Sequence, residues 1–127
     1  MLKNVCQLNQ FHNVLIVGDF NASSLNWSLD EPGVPSSTDA LLLDGVESFG
    51  LHQVVYDPTY SKFDEKKNKM FESYLDLLFM LNPGHLKSIE VGVGIDNSDH
   101  HSITAVVDIT IDRIADVKRT FYNCESR

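Results

Sequence analysis

Asn13-Val14-Leu15-Ile16-Val17-Gly18-Asp19-Phe20-Asn21 is an aliphatic run that stops on Gly-Asp-Phe-Asn, and the rest of the chain is read outward from it. Val14 to Val17 are all aliphatic and three of them are β-branched, so the composition predicts a strand over Asn13–Val17, buried on both faces and bounded by turn residues. Residues two apart on a strand point the same way. If the backbone stays extended through Phe20, the Asp19 carboxylate and the Asn21 amide share one face at the strand's C-terminal lip, where open α/β sheets place their ligands. The same letters also fit a strand followed by an Asx turn, because Gly, Asp and Asn serve turns for purely conformational reasons. On this stretch alone both readings stand.

Two further stretches bear on the choice. Tyr74-Leu75-Asp76-Leu77-Leu78-Phe79 sits inside a strand predicted over Phe71–Leu81, with Leu75, Leu77, Phe79 and Leu81 on one face and Tyr74, Asp76, Leu78 and Met80 on the other. A carboxylate in such a strand costs several kcal/mol unless it is paired or hydrogen-bonded, so Asp76 either has a partner or lies on an exposed edge. Ser98-Asp99-His100-His101 ends a polar loop and opens another strand. An Asp seeking a partner and a loop histidine suggest a pair in which the carboxylate fixes the imidazole tautomer and favours its protonated form.

Gly18-Asp19-Phe20-Asn21, Tyr74-Leu-Asp-Leu-Leu-Phe79 and Asn97-Ser-Asp-His-His101, in this order, resemble the C-terminal half of the endonuclease/exonuclease/phosphatase superfamily. With Asn26-Trp27 and Asp57-Pro58-Thr59-Tyr60 between them, the pattern is most similar to the endonuclease domain of non-LTR (LINE-type) retrotransposon proteins, over about Asn13 to Ile111. The resemblance implies hydrolysis of a phosphodiester in DNA assisted by Mg²⁺, or Mn²⁺ in its place. It implies that Asp19 orients or deprotonates the attacking water and that Asn21 binds a phosphate oxygen. Asp76 would pair with the catalytic His100, and Asp99 would be the acid beside the metal. His101 follows the motif and takes no role from it. The fold implied is α/β, one half of a four-layer sandwich, with a mixed sheet of about five strands and one or two helices. The domain would occupy residues 1–112, followed by a charged tail over 113–127.

Nothing before Asn13 matches the family's first strands, its further Asn or its metal-binding Glu, so the expected site is half a site. Phosphate esters need roughly 20 kcal/mol of transition-state stabilisation, and each ~1.4 kcal/mol lost is tenfold in rate. An isolated chain is therefore expected to be slow or inactive. One sheet face would also stand uncovered, inviting the missing N-terminal half or another chain. Alternatives of other classes are a non-catalytic remnant or binding module, and a superfamily phosphatase acting on a small substrate.

The chain has 127 residues, 43% of them apolar, enough for one globular domain. No apolar run approaches the roughly 20 residues of a membrane span, and the start lacks a signal-peptide layout. A soluble, intracellular protein is expected, with nuclear location implied by the resemblance only. Cys6 and Cys124 show no zinc spacing and read as unpaired thiols. Net charge is −8, the wrong sign for a free-standing nucleic-acid binder, yet Lys62, Lys66, Lys67 and Lys69 crowd one polar stretch. That cluster fits either a solvated loop or a track for a phosphate backbone.

In chain order, Leu2, Val5, Leu8 and Phe11 predict a weak amphipathic helix, and 19–35 a loop whose Trp27 either anchors it to the core or stacks on a base. Thr38 caps a predicted helix with Asp39 in its first turn and Leu42, Val46 and Phe49 on one face, ending at Gly50. Leu51–Tyr56 is a short strand containing a surface or structural His52, and Ser61–Asn68 reads as a mobile polar segment. Asn82–His85 is a turn, Leu86–Val93 a strand loosened by Gly92 and Gly94, and Ile103–Ile111 the clearest alternating strand.

Overall fold

Asp76-Leu77-Leu78-Phe79-Met80 is the strand around which the core forms, because its side chains are apolar on both faces and four of the five are buried. The computed structural model describes residues 13–28 and 33–109. Along them run β1 (Leu15–Asp19), α1 (Ser37–Ser48), β2 (His52–Gln53), β3 (Tyr60–Asp64), β4 (Lys69–Ser73), β5 (Asp76–Met80), β6 (Leu86–Val91) and β7 (Ile103–Val107). The α/β class expected from the sequence holds. The strand arrangement differs: in place of one mixed sheet of about five strands there is a three-stranded sheet in the order β1-β5-β2, a β3-β4 hairpin and a β6-β7 pair, with antiparallel registers throughout.

Each face of β5 has its own packing. Leu77 and Phe79 cluster with Leu51 and Tyr74, and Phe20, Trp27, Leu42, Val46 and Phe49 close over them from the loop and α1. Leu78 and Met80 cluster with Val54 and Val55, with Ile89, Val91 and Ile103 of β6 and β7 packed against them. Trp27 meets Phe79 edge-on with centroids 6.0 Å apart, which is the loop-anchoring role.

The first strand is not buried on both faces as its aliphatic letters predict: all five residues of β1 are exposed, Val17 by 69%. The reason is position. β1 is an edge strand with β5 as its ladder partner, and apolar composition does not distinguish an edge from a centre. Its entry is tied down by Asn13, whose Oδ1 accepts from the Val14 and Asn82 N–H groups while Nδ2 donates to the Asn82 carbonyl. That joins β1 to the 3₁₀ turn Pro83–His85.

Helix α1 starts earlier than expected. Ser36, not Thr38, is the N-cap, its hydroxyl accepting from the Asp39 N–H at 3.2 Å. The Ser24 hydroxyl donates to the Asp39 carboxylate and, with the Ser24 N–H, holds that acid below its usual pKa against the opposing effect of burial. The 19–35 loop is thereby pinned to the start of the helix.

The predicted strand over Phe71–Leu81 is two strands. It breaks at Tyr74-Leu75, where the chain leaves β4 of the hairpin and enters β5 of the main sheet. The Ser61–Asn68 segment read as mobile is β3 and its turn, in register with β4 from Tyr60↔Ser73 to Asp64↔Lys69. The Asp64 side chain accepts from the Lys66 and Lys67 N–H groups, and Asn68 takes φ +48°, so the turn is locally specified. Few apolar residues mark this strand because its hairpin projects into solvent. The expected helix over 2–11, both cysteines and the tail beyond 109 lie outside the described residues. No described helix is long and apolar enough to cross a membrane.

Candidate active site

Asp19 is the last residue of β1 and Asp76 the first of β5, and the antiparallel register sets them directly opposite each other. Like charges in that position repel and destabilise a sheet by a few tenths to about 1 kcal/mol, so the pairing calls for a cation. His100 is placed to supply one when protonated. Its Nδ1 lies 2.7 Å from Asp76 Oδ2, and carboxylate oxygens of both aspartates and a ring nitrogen of His100 lie within 4.8 Å of one another. A carboxylate only accepts, so Nδ1–H donates and Nε2 is left for an outside partner.

Asp76 is fixed through its backbone. The fully buried Thr59 hydroxyl accepts from the Leu75 N–H at 3.0 Å and the Asp76 N–H at 2.9 Å. This one oxygen satisfies the main chain where β4 hands over to β5. Tyr60 then bridges to His100 as an isolated antiparallel pair, and the two rings meet edge-on at 5.3 Å.

Asp19 and Asn21 do not share a face through extended backbone. β1 ends at Asp19, whose Oδ1 accepts from the Asn21 N–H at 2.9 Å, and Asn21 takes φ +50° on an exposed turn. Of the two readings of the opening stretch the Asx turn holds and the shared face does not, while the turning carboxylate belongs to the cluster. Asp99 is exposed and stands outside the three-residue group, but its charge acts on His100. His101 is half-buried and structural in its contacts, with Nε2 2.8 Å from Ser61 Oγ and Nδ1 3.1 Å from the Pro58 carbonyl. His52 is exposed.

The His100 pKa is raised. The hydrogen bond to Asp76 is the main cause, burial opposes it, and the charges of Asp76, Asp19 and Asp99 add to it. A raised folded-state pKa means that His100 stabilises the fold fully below the ordinary histidine value near 6.5, and that this contribution disappears as pH rises through its own higher pKa. Denaturation between about pH 6 and 9 is expected to show wild-type stability falling relative to His100→Gln. Parallel curves for the two proteins would remove this assignment.

Gly94, expected only to loosen a strand, sits against the loop that carries His100. A Cβ there would collide with the His100 and Ser98 carbonyl oxygens, both backbone atoms that cannot rotate away. Gly94→Ala is expected to displace the loop at a cost of about 1–3 kcal/mol and to break the Asp76–His100 contact. Gly92→Ala meets only the Ser102 hydroxyl, a movable side-chain end, and is expected to be milder. Comparing the two melting temperatures checks this. Thr59, Ser61 and Gly94 are positioning residues that residue-type reasoning passed over. Asp57-Pro58-Thr59-Tyr60 was visible as a motif but carried no readable chemistry.

The family model described as endonuclease-reverse transcriptase matches residues 1–104, and the chain belongs to that family. Among solved structures, it is similar to the endonuclease domain of TRAS1, a telomere-specific non-LTR retrotransposon, with a TM-score of 0.58 and 21% identity. That match covers 76% of this chain and 44% of the TRAS1 domain, so the chain spans less than half of the structure it resembles. The comparison with curated proteins gives no match.

Proposed function

We propose that this chain is the C-terminal portion of a divalent-cation-dependent phosphodiesterase that cleaves DNA, and that Asp19, Asn21, Asp76, Asp99 and His100 form its half of the active site. The observation that carries the reading is the opposed Asp19–Asp76 pair with His100 hydrogen-bonded between the strand ends. Two carboxylates facing each other across a ladder have no packing purpose and a repulsive cost. The group that offsets it, an imidazole held as a donor, is what a phosphate anion needs.

In this reading Asp76 holds His100 protonated and oriented, and Nε2–H faces the phosphate and offsets charge developing on it. The Asp19 oxygen not engaged by the Asn21 N–H orients or deprotonates the attacking water. The Asn21 side-chain amide donates to a phosphate oxygen. The donor chemistry fits a hard cation such as Mg²⁺ or Mn²⁺, which takes one or two carboxylates with the remainder from water and phosphate. Asp99 and Asp19 would hold it, since Nδ1 of His100 is already committed to Asp76. Such an ion supplies Lewis-acid stabilisation of the phosphate charge.

DNA as the substrate is supported by the β3–β4 hairpin, which starts at Tyr60 beside His100 and carries Lys62, Lys66, Lys67 and Lys69. Exposed Phe63, Met70 and Phe71 accompany the lysines, and an open groove of about 660 Å³ runs between Tyr60 and Phe71. Asp64, Glu65 and Glu72 share the hairpin with these lysines, so its positive surplus is small, but in a chain of net charge −8 it is where lysines concentrate. A nuclear location belongs to this reading by resemblance alone. Full activity requires the remainder of the sandwich, supplied by a further polypeptide segment or a separate chain. The exposed Ile16, Val17, Leu41 and Val106 are apolar surface for it.

Relaxation of supercoiled plasmid with Mg²⁺ or Mn²⁺, by the chain alone and mixed with an N-terminal half of the family fold, tests the proposal. Nicking that disappears in Asp19→Ala and His100→Ala supports it. Equal background in wild type and both variants, with and without the added half, overturns it.

A further inference from the structure

We propose that His101 is a positioning residue which, clasped between Pro58 and Ser61, locks the base of the β3–β4 hairpin to the loop that carries His100. The clasp uses both ring nitrogens and the backbone N–H of the residue. The Pro58 carbonyl can only accept, so Nδ1 of His101 carries the hydrogen and donates at 3.1 Å. In the neutral ring Nε2 then accepts from the Ser61 hydroxyl at 2.8 Å. The His101 backbone N–H donates to the Thr59 carbonyl at 2.7 Å, and the Ser61 N–H returns a bond to the Asp99 carbonyl at 2.9 Å.

These four bonds flank the Tyr60↔His100 bridge on both sides. Residues 58–61 and 99–101 therefore form one stitched unit, and His100 cannot shift without moving the start of β3. The same Thr59 that His101 grips is the acceptor for the Asp76 N–H. Through it, His101 sets both ends of the Asp76–His100 bond: His100 by covalent adjacency, Asp76 by way of Thr59. A histidine whose ring nitrogens are both engaged has none left to meet substrate, so its effect on chemistry must pass through His100. The β3–β4 hairpin that carries the lysines continues directly from this unit, so a ligand that draws on the hairpin also loads His100.

The catalytic consequence rests on the function proposed above, whereas the positioning claim does not, and the experiment separates them. The ring ¹⁵N shifts of His100 report whether Nδ1 keeps its hydrogen and its bond to Asp76. In His101→Ala and in Ser61→Ala these shifts are expected to move toward those of a solvent-exposed histidine. In His101→Gln, whose Nε2 reaches the Ser61 hydroxyl, they are expected to return most of the way. Where DNA is nicked, kcat is expected to drop about ten- to a hundredfold in both alanine variants with KM within about twofold. His100 shifts unchanged in the folded Ser61→Ala protein would overturn the proposal even if His101→Ala does not fold. Shifts that move as expected in a protein that never cleaves DNA would keep the clasp and remove the nuclease reading.

Discussion

Asp76→Asn is expected to lower DNA cleavage by about two to four orders of magnitude while leaving the protein, above the His100 pKa, about as stable as before. The two effects separate because, in the proposed function, the Asp76 carboxylate serves chemistry while it also strains the sheet. It lies directly opposite Asp19 and accepts the Nδ1–H of His100. Asparagine has nearly the same shape, so the packing around β5 has no reason to change. Its neutral amide, however, no longer stabilises an imidazolium and offers an NH₂ where an acceptor was needed. The His100 pKa then falls, since the Asp76 hydrogen bond is the largest cause of its elevation. The cross-strand repulsion with Asp19 falls too, which favours the fold by a few tenths of a kcal/mol. Nicking rates and denaturation midpoints measured on the same preparation check both signs. Loss of stability in step with loss of activity would show that Asp76 is a structural residue only.

Thr59→Val is expected to have the largest effect on stability, about 2–5 kcal/mol, out of the 5–15 kcal/mol typical of a domain. Valine fills the same volume, so no cavity is created. What is lost is one oxygen that accepts from two main-chain donors, Leu75 N–H and Asp76 N–H. Thr59 is fully buried and Leu75 is 8% exposed, so water cannot readily replace that acceptor. Each stranded N–H costs about 1–3 kcal/mol. Thr59→Ser keeps the hydroxyl and is expected to lose far less. Urea denaturation of the three proteins distinguishes this from a packing effect, under which serine, the smaller residue, would be the worse replacement.

These residues also mark where the sequence was legible. Asp19, Asp76 and His100 could be picked out because each is a chemical anomaly against its local pattern: an acid ending an aliphatic run, an acid inside one, and a histidine in a polar loop. Their meeting was not derivable from spacing. For the two aspartates it comes from the β1–β5 register and for His100 from its bridge to Tyr60, long-range pairings that only the assembled fold displays. Edge and centre were likewise confused, because β1 and β5 are similarly aliphatic and burial is decided by neighbours. The β3–β4 hairpin was missed because period-two reasoning needs one apolar face, and a projecting hairpin has little use for one. Thr59 left no signal, since a threonine hydroxyl accepting two backbone bonds looks in sequence like any other threonine. Family resemblance supplied the site residues that chemistry alone left open. Asp99 is one such residue, exposed and acting on His100 through its charge.

In the proposed function, one cluster at the end of β1 and β5 meets a divalent cation and a phosphate. Titrating the chain with Mg²⁺ while following backbone amide signals by NMR tests it most directly. The account predicts saturable shifts at millimolar ion, confined to Asp19, Asp76, Asp99, His100 and their immediate neighbours, and abolished in Asp19→Ala. A well-dispersed spectrum indifferent to Mg²⁺, or shifts scattered over the acidic surface and unchanged by Asp19→Ala, would contradict it.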